Sequence, residues 1–74
     1  MARLPGEVDG RRFLRAMARL GWIVESQRGS HRKLVLLGVD RFIVVAFHKV
    51  IRRNSVRHVL RLAGITEEEF VRVL

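Results

Sequence analysis

Cysteine is absent from this chain, which excludes a disulfide framework and any thiolate metal site. Acids are scarce, seven Asp and Glu against fifteen Lys and Arg. Most of them stand where helices begin, which argues against a carboxylate–metal nuclease. The longest apolar run, Phe42 to Phe47, falls far short of the ~20 residues that a membrane-spanning helix needs. The stretch Met1-Ala2-Arg3-Leu4-Pro5-Gly6 lacks the apolar core of a signal peptide. The expectation is a soluble, cytoplasmic protein that does not bind membrane. The histidines lack zinc-ligand spacing and no glycine-rich loop opens a helix, so neither a metal nor another cofactor is expected.

What the chain has in quantity is positive charge. The formal net charge is +8 over 74 residues, a surplus that favours a polyanionic partner such as nucleic acid. All but two of the cations, Lys33 and Lys49, are arginine, which forks onto phosphate and stacks on bases. The length implies one domain, residues 1–74, with a small core.

Periodicity gives the order of elements. Asp9 is a helix N-cap, and Val8 and Phe13 have the spacing of a hydrophobic staple. Phe13, Leu14, Met17 and Leu20 fall on one face of this first helix, and Arg11, Arg12, Arg15 and Arg19 on the other. That arginine row suits tracking phosphates, and it equally suits an ordinary solvated face. Gly21 closes the helix. Trp22–Arg28 and His31–Leu37 read as two strands of a hairpin with an apolar base and a basic tip. An unbroken two-residue loop sets Ser26 against Lys33, Val24 against Val35 and Trp22 against Leu37. Phe42–Phe47 reads as a third strand, apolar on both faces and therefore central or covered. His48–Arg53 is a basic connection, and Asn54 or Ser55 caps a second helix with Val56, Val59, Leu60 and Ala63 inward. Gly64 ends it, and Thr66-Glu67-Glu68-Glu69 is a capping box for a short last helix. The fold class is α+β, a three-stranded antiparallel sheet with helices on one face. Its α-β-β-β-α order is that of double-stranded RNA-binding domains.

The chemistry centres on Arg28-Gly29-Ser30-His31-Arg32-Lys33. Gly29-Ser30 suits a type II′ turn, and Arg28 and His31 then face each other across it. His31 stands at the start of a strand among cations able to stabilise a phosphorane-like dianion. Histidine exchanges protons near neutral pH, and RNA cleavage by a 2′-hydroxyl needs a base and an acid. His48, beside Lys49, either contacts phosphate or ends a strand, and His58 reads as a solvated surface residue. Candidate RNA contacts are Arg28, Gly29, Ser30, Lys33, Arg12, Arg15, Arg19, His48 and Lys49.

From Asp9 to Leu74 the chain resembles the HicA family of toxin–antitoxin mRNA interferases. The resemblance rests on Leu20-Gly21-Trp22, Arg28-Gly29-Ser30-His31, Val44-Val45 with His48, and Val56-Arg57-His58-Val59-Leu60-Arg61-Leu62-Ala63-Gly64-Ile65. Two departures accompany it. The family usually has proline before the second histidine, where this chain has Ala46-Phe47. Asn54-Ser55 replaces the usual Gly-Thr at the second helix. The resemblance implies a double-stranded RNA-binding-like fold, endoribonuclease activity on mRNA with His31 as catalytic residue, and a HicB-type antitoxin partner. The second proton-transfer group is open among His48, water and the substrate. The alternative is a non-catalytic RNA-binding module or an inactive toxin homologue.

Overall fold

In the computed structural model, which describes residues 3–74, the chain runs through five strands and three helices. They are β1 (Glu7–Asp9), α1 (Gly10–Arg19), β2 (Trp22–Arg28), β3 (His31–Leu36), β4 (Phe42–Ala46), β5 (Val50–Arg52), α2 (Arg53–Ala63) and α3 (Glu67–Val73). The main sheet is antiparallel in the order β2-β3-β4. The expected α+β class and α-β-β-β-α order are therefore present.

Each helix is held by the end groups its sequence supplies. Asp9 accepts hydrogen bonds from the Arg11 and Arg12 backbone N–H groups, at 2.9 and 3.1 Å. This satisfies donors that the first helical turn otherwise leaves open. Gly64 takes the left-handed conformation, φ 73°, after α2. Thr66 and Glu69 form the capping box at α3: the Glu69 N–H donates to the Thr66 hydroxyl, and the Thr66 N–H to the Glu69 carboxylate. The cap of α2 differs from expectation. Its N-cap is Arg52, whose side chain makes no capping bond, so Asn54 and Ser55 lie inside the first turn rather than before it.

The core lies between the helices and one face of the main sheet. Phe13, Ala16 and Met17 of α1 meet Trp22, Leu34, Ile43 and Val45 of the strands, Val56, Val59, Leu60 and Ala63 of α2, and Phe70 of α3. Phe13 and Phe70 approach with ring centroids 5.7 Å apart. Burial of each large side chain here contributes roughly 1.5–3 kcal/mol, most of what a domain this short has to oppose chain entropy.

Three features depart from the periodic reading, each for a physical reason. β4 is an edge strand, and only alternate residues of it are covered: Ile43 and Val45 are buried, while Phe42 and Val44 are 58% and 51% exposed. Among the described residues, no helix lies over that second face. The β2–β3 register also breaks. Ser26 pairs with Lys33 as expected, but Val24 pairs with Leu34 and Trp22 with Leu36, because Glu25 forms a bulge. An unbroken ladder would have put Trp22 on the uncovered face, and the extra residue turns it into the core. Finally, the arm and the basic connection contain a second antiparallel sheet, β1 with β5, in which Val8 pairs with Ile51. Both residues are buried. Three-residue strands are too short for alternation to reveal.

The two sheets and α1 converge at Gly10. Its N–H donates to the Lys49 carbonyl at 2.8 Å. A side chain at this position would collide with the His48 carbonyl oxygen and sit 2.9 and 3.0 Å from two Phe47 ring carbons.

Two outcomes follow from these contacts. Gly10→Ala, which in an open helix would add stability, is expected to destabilise the protein by about 1–3 kcal/mol through overpacking, measured by urea unfolding. The Glu69 carboxyl is held below its ordinary range by the Thr66 backbone N–H first and the Thr66 hydroxyl second, helped by the nearby Arg72 charge. A carboxyl lowered in the folded state stabilises it at neutral pH, and that contribution is lost as pH falls through the lowered value. Melting temperatures taken from pH 6 down to pH 3 are expected to fall less steeply for Glu69→Gln than for the unaltered chain.

Candidate functional site

The hairpin tip is built as its composition demands. Gly29 has φ 59° and Ser30, like every described non-glycine residue, has negative φ. This is the sign pattern of a type II′ turn. Arg28 pairs with His31 across it, and His31 pairs with Ala46 of β4 on its other side. The turn is braced from below: the Phe47 N–H donates to the Ser30 carbonyl at 2.6 Å. The Arg32 guanidinium lies 4.5 Å from the centre of the Phe47 ring and donates to the Gly29 carbonyl at 3.2 Å. His31 thus stands on regular backbone one residue from a glycine turn whose outer side is open.

Phe47 and its neighbours also fix His48. The segment 47–49 is tied to the turn by the Phe47–Ser30 bond and to α1 by the Gly10–Lys49 bond. His48 therefore projects from a chain segment held at both ends, rather than from a loose connection.

Along the free edge of β4, between that strand and α2, runs a groove of about 670 Å³. His31, Val44 and Ala46 line it from the sheet, and Asn54, Ser55, His58 and Val59 line it from α2. His48 and Arg52 complete the lining between them. All three histidines of the chain meet in this one depression. His58 is exposed, as its helical position suggests, but the solvent it faces is that of the groove. The signal was present in the spacing: His58 follows Ser55 by three residues and immediately precedes core residue Val59, which sets it at the edge of the buried stripe. Among the described residues, no three His, Cys, Asp or Glu side chains come close enough together to hold a metal ion.

The other residues singled out from the sequence are dispersed. Arg28, Gly29 and Ser30 form the hairpin end beyond His31. Lys33 lies farther along the uncovered sheet face. It pairs with Glu25 at 3.1 Å and sits 4.7 Å from the centre of the Phe42 ring. Lys49 borders a separate depression with Asp9, Arg11 and Phe47. The arginine row of α1 is divided in its use. Arg12 Nε donates to the Leu74 carbonyl at 3.3 Å and Arg19 Nη1 to the Val73 carbonyl at 2.7 Å, so both hold the end of α3. Arg15 is exposed and lines no part of the groove.

The groove's chemistry is therefore that of imidazole with cationic support. Three imidazoles face a space that suits a segment of polyanion, with Arg52 among them and Arg28 paired with His31 at the rim. Exposed apolar residues of the sheet, Ile23, Phe42 and Val44, continue from this rim along the uncovered face.

No curated protein and no solved structure matches the chain significantly. A family model described as "HicA toxin of bacterial toxin-antitoxin" matches residues 10–65. The match runs from the glycine at the start of α1 to the residue after Gly64, and so takes in the hairpin, the groove and all three histidines. By that match the chain belongs to the HicA toxin family and is a toxin of a bacterial toxin–antitoxin system.

Proposed function

We propose that this toxin is an endoribonuclease that cleaves mRNA in the cytoplasm by general acid–base chemistry without a metal ion, with His31 as an essential proton-transfer group. The observation that carries the reading is the groove itself: His31 at its end, beside a glycine turn that lets a backbone approach, with Arg52 and Arg28 placed for phosphate. A ribose 2′-hydroxyl next to the scissile phosphate supplies the nucleophile, so the protein need only move protons and stabilise charge. Arg28, Ser30, Lys49 and His48 bind the strand to either side of the scissile phosphate. Lys33 contributes less, since Glu25 already shares its charge.

The partner is a HicB-type antitoxin. The uncovered sheet face supports this reading, because it joins exposed Ile23, Phe42 and Val44 to the basic hairpin tip. Apolar area continuous with a basic tip suits a protein with complementary acidic groups. Seated there, such a partner closes the His31 end of the groove.

Purified protein incubated with a transcript in excess EDTA is expected to cleave it, and His31→Ala is expected to cleave at least 10²-fold more slowly. His31→Ala should still bind RNA with a strong salt dependence, because its cations are unchanged. Equal cleavage by the two proteins, or loss of wild-type activity in EDTA, would defeat the reading. Salt-sensitive binding with no cleavage by either protein would identify a non-catalytic RNA-binding module.

A further inference from the structure

Cleavage by a neighbouring 2′-hydroxyl is an in-line displacement. The O2′–P bond forms on one side of phosphorus and the P–O5′ bond breaks on the other, so the base and the acid belong on opposite sides of the phosphate. This requirement sorts the three histidines. His31 comes from β3 and pairs with Ala46. His48 follows Ala46 by two residues in the same chain and is tied to the turn through the Phe47–Ser30 bond, so both belong to the sheet side. His58 comes from α2, between Ser55 and Val59 of the facing wall.

The residues around His58 are otherwise engaged. Arg57 donates to Glu67 at 2.9 Å and to Asn54 at 3.3 Å, and Val59 and Leu60 are buried. Among the described residues His58 makes no hydrogen bond or ion pair, and it is exposed in the lining of the groove. The titratable and charged groups sharing its groove are His31, His48 and Arg52. Among the described residues, no carboxylate lines that groove.

Resting on the ribonuclease reading, we propose that His58 is the general acid that protonates the leaving O5′, opposite His31 as the base. His31 takes the 2′-hydroxyl proton as O2′ bonds to phosphorus, and His58 gives its proton to O5′ as that bond breaks. The products are a 2′,3′-cyclic phosphate and a 5′-hydroxyl, leaving His31 protonated and His58 neutral. His48, on the same side as His31, positions the strand.

Two substrates separate the roles. An RNA oligonucleotide has a poor alkoxide leaving group that needs a proton. Uridine 3′-(4-nitrophenyl phosphate) releases a nitrophenolate that needs none. His58→Gln is expected to slow oligonucleotide cleavage by about 10²-fold or more and to remove the alkaline limb of its pH–rate profile. It should slow nitrophenyl ester cleavage far less, while His31→Gln slows both alike. His58→Gln slowing both substrates equally, or neither, would overturn the assignment, as would His48→Gln showing the leaving-group dependence instead. A normal His58→Gln beside an inactive His31→Gln removes only the acid assignment. Wild-type protein inactive on both substrates removes the ribonuclease reading, and the assignment with it.

Discussion

The absence of a side chain at Gly10 is the constraint on which the arrangement of this domain depends. Backbone meets backbone there, with the Gly10 N–H on the Lys49 carbonyl and the His48 carbonyl against its α-carbon. That closeness fastens the start of α1 to the chain leaving β4. It also sets where β5 pairs with β1, and hence where α2 begins. The groove lies between elements whose spacing this contact governs. Its far wall is covalently continuous with β5, and its near wall ends in the segment that Gly10 holds. A domain with so small a core gains much from a backbone contact that needs no apolar area.

The distribution of charge follows a similar division of labour. The net excess is large, yet many cations act within the molecule. Arg12 and Arg19 hold the last carbonyls of α3, Arg41 donates to the Leu62 carbonyl, and Arg53 to that of Pro5. Arginine suits these tasks because one guanidinium spans to a carbonyl while keeping donors for solvent. Carbonyl dipoles do not cancel a charge, so these residues still add to the long-range field that draws a polyanion in. They serve stability by contact and association at a distance.

Much of the fold was legible in the sequence because its signals are local. Asp9, Gly64 and the Thr66–Glu69 pair state where helices start and stop, and the Val56, Val59, Leu60, Ala63 stripe states which side is buried. The hairpin was legible at its tip, where Gly29 fixes the turn and thereby the Arg28–His31 pairing. What escaped depends on distant partners. β1 and β5 are each too short to display a period, and their pairing is a consequence of tertiary closure. Phe42 and Val44 look like core residues, since nothing within a strand records that its second face lacks a helix. The site divided in the same way. His31 announced itself through the turn, whereas His58 joined the groove only because α2 packs beside β4.

The bulge at Glu25 reaches further than a local irregularity. Side chains alternate along a strand, so a hairpin normally commits all its even-numbered residues to one face. With one unpaired residue inserted, Trp22 answers to the core while Ser26 and Arg28 answer to the open side, although all three are even. Base and tip are thereby uncoupled: one half of the same ribbon is free to be shaped for packing and the other for presenting His31. The odd residue is what makes this division possible. Pairing every residue of β2 at its present length would surrender either the tryptophan to water or the Arg28–His31 pair to the interior.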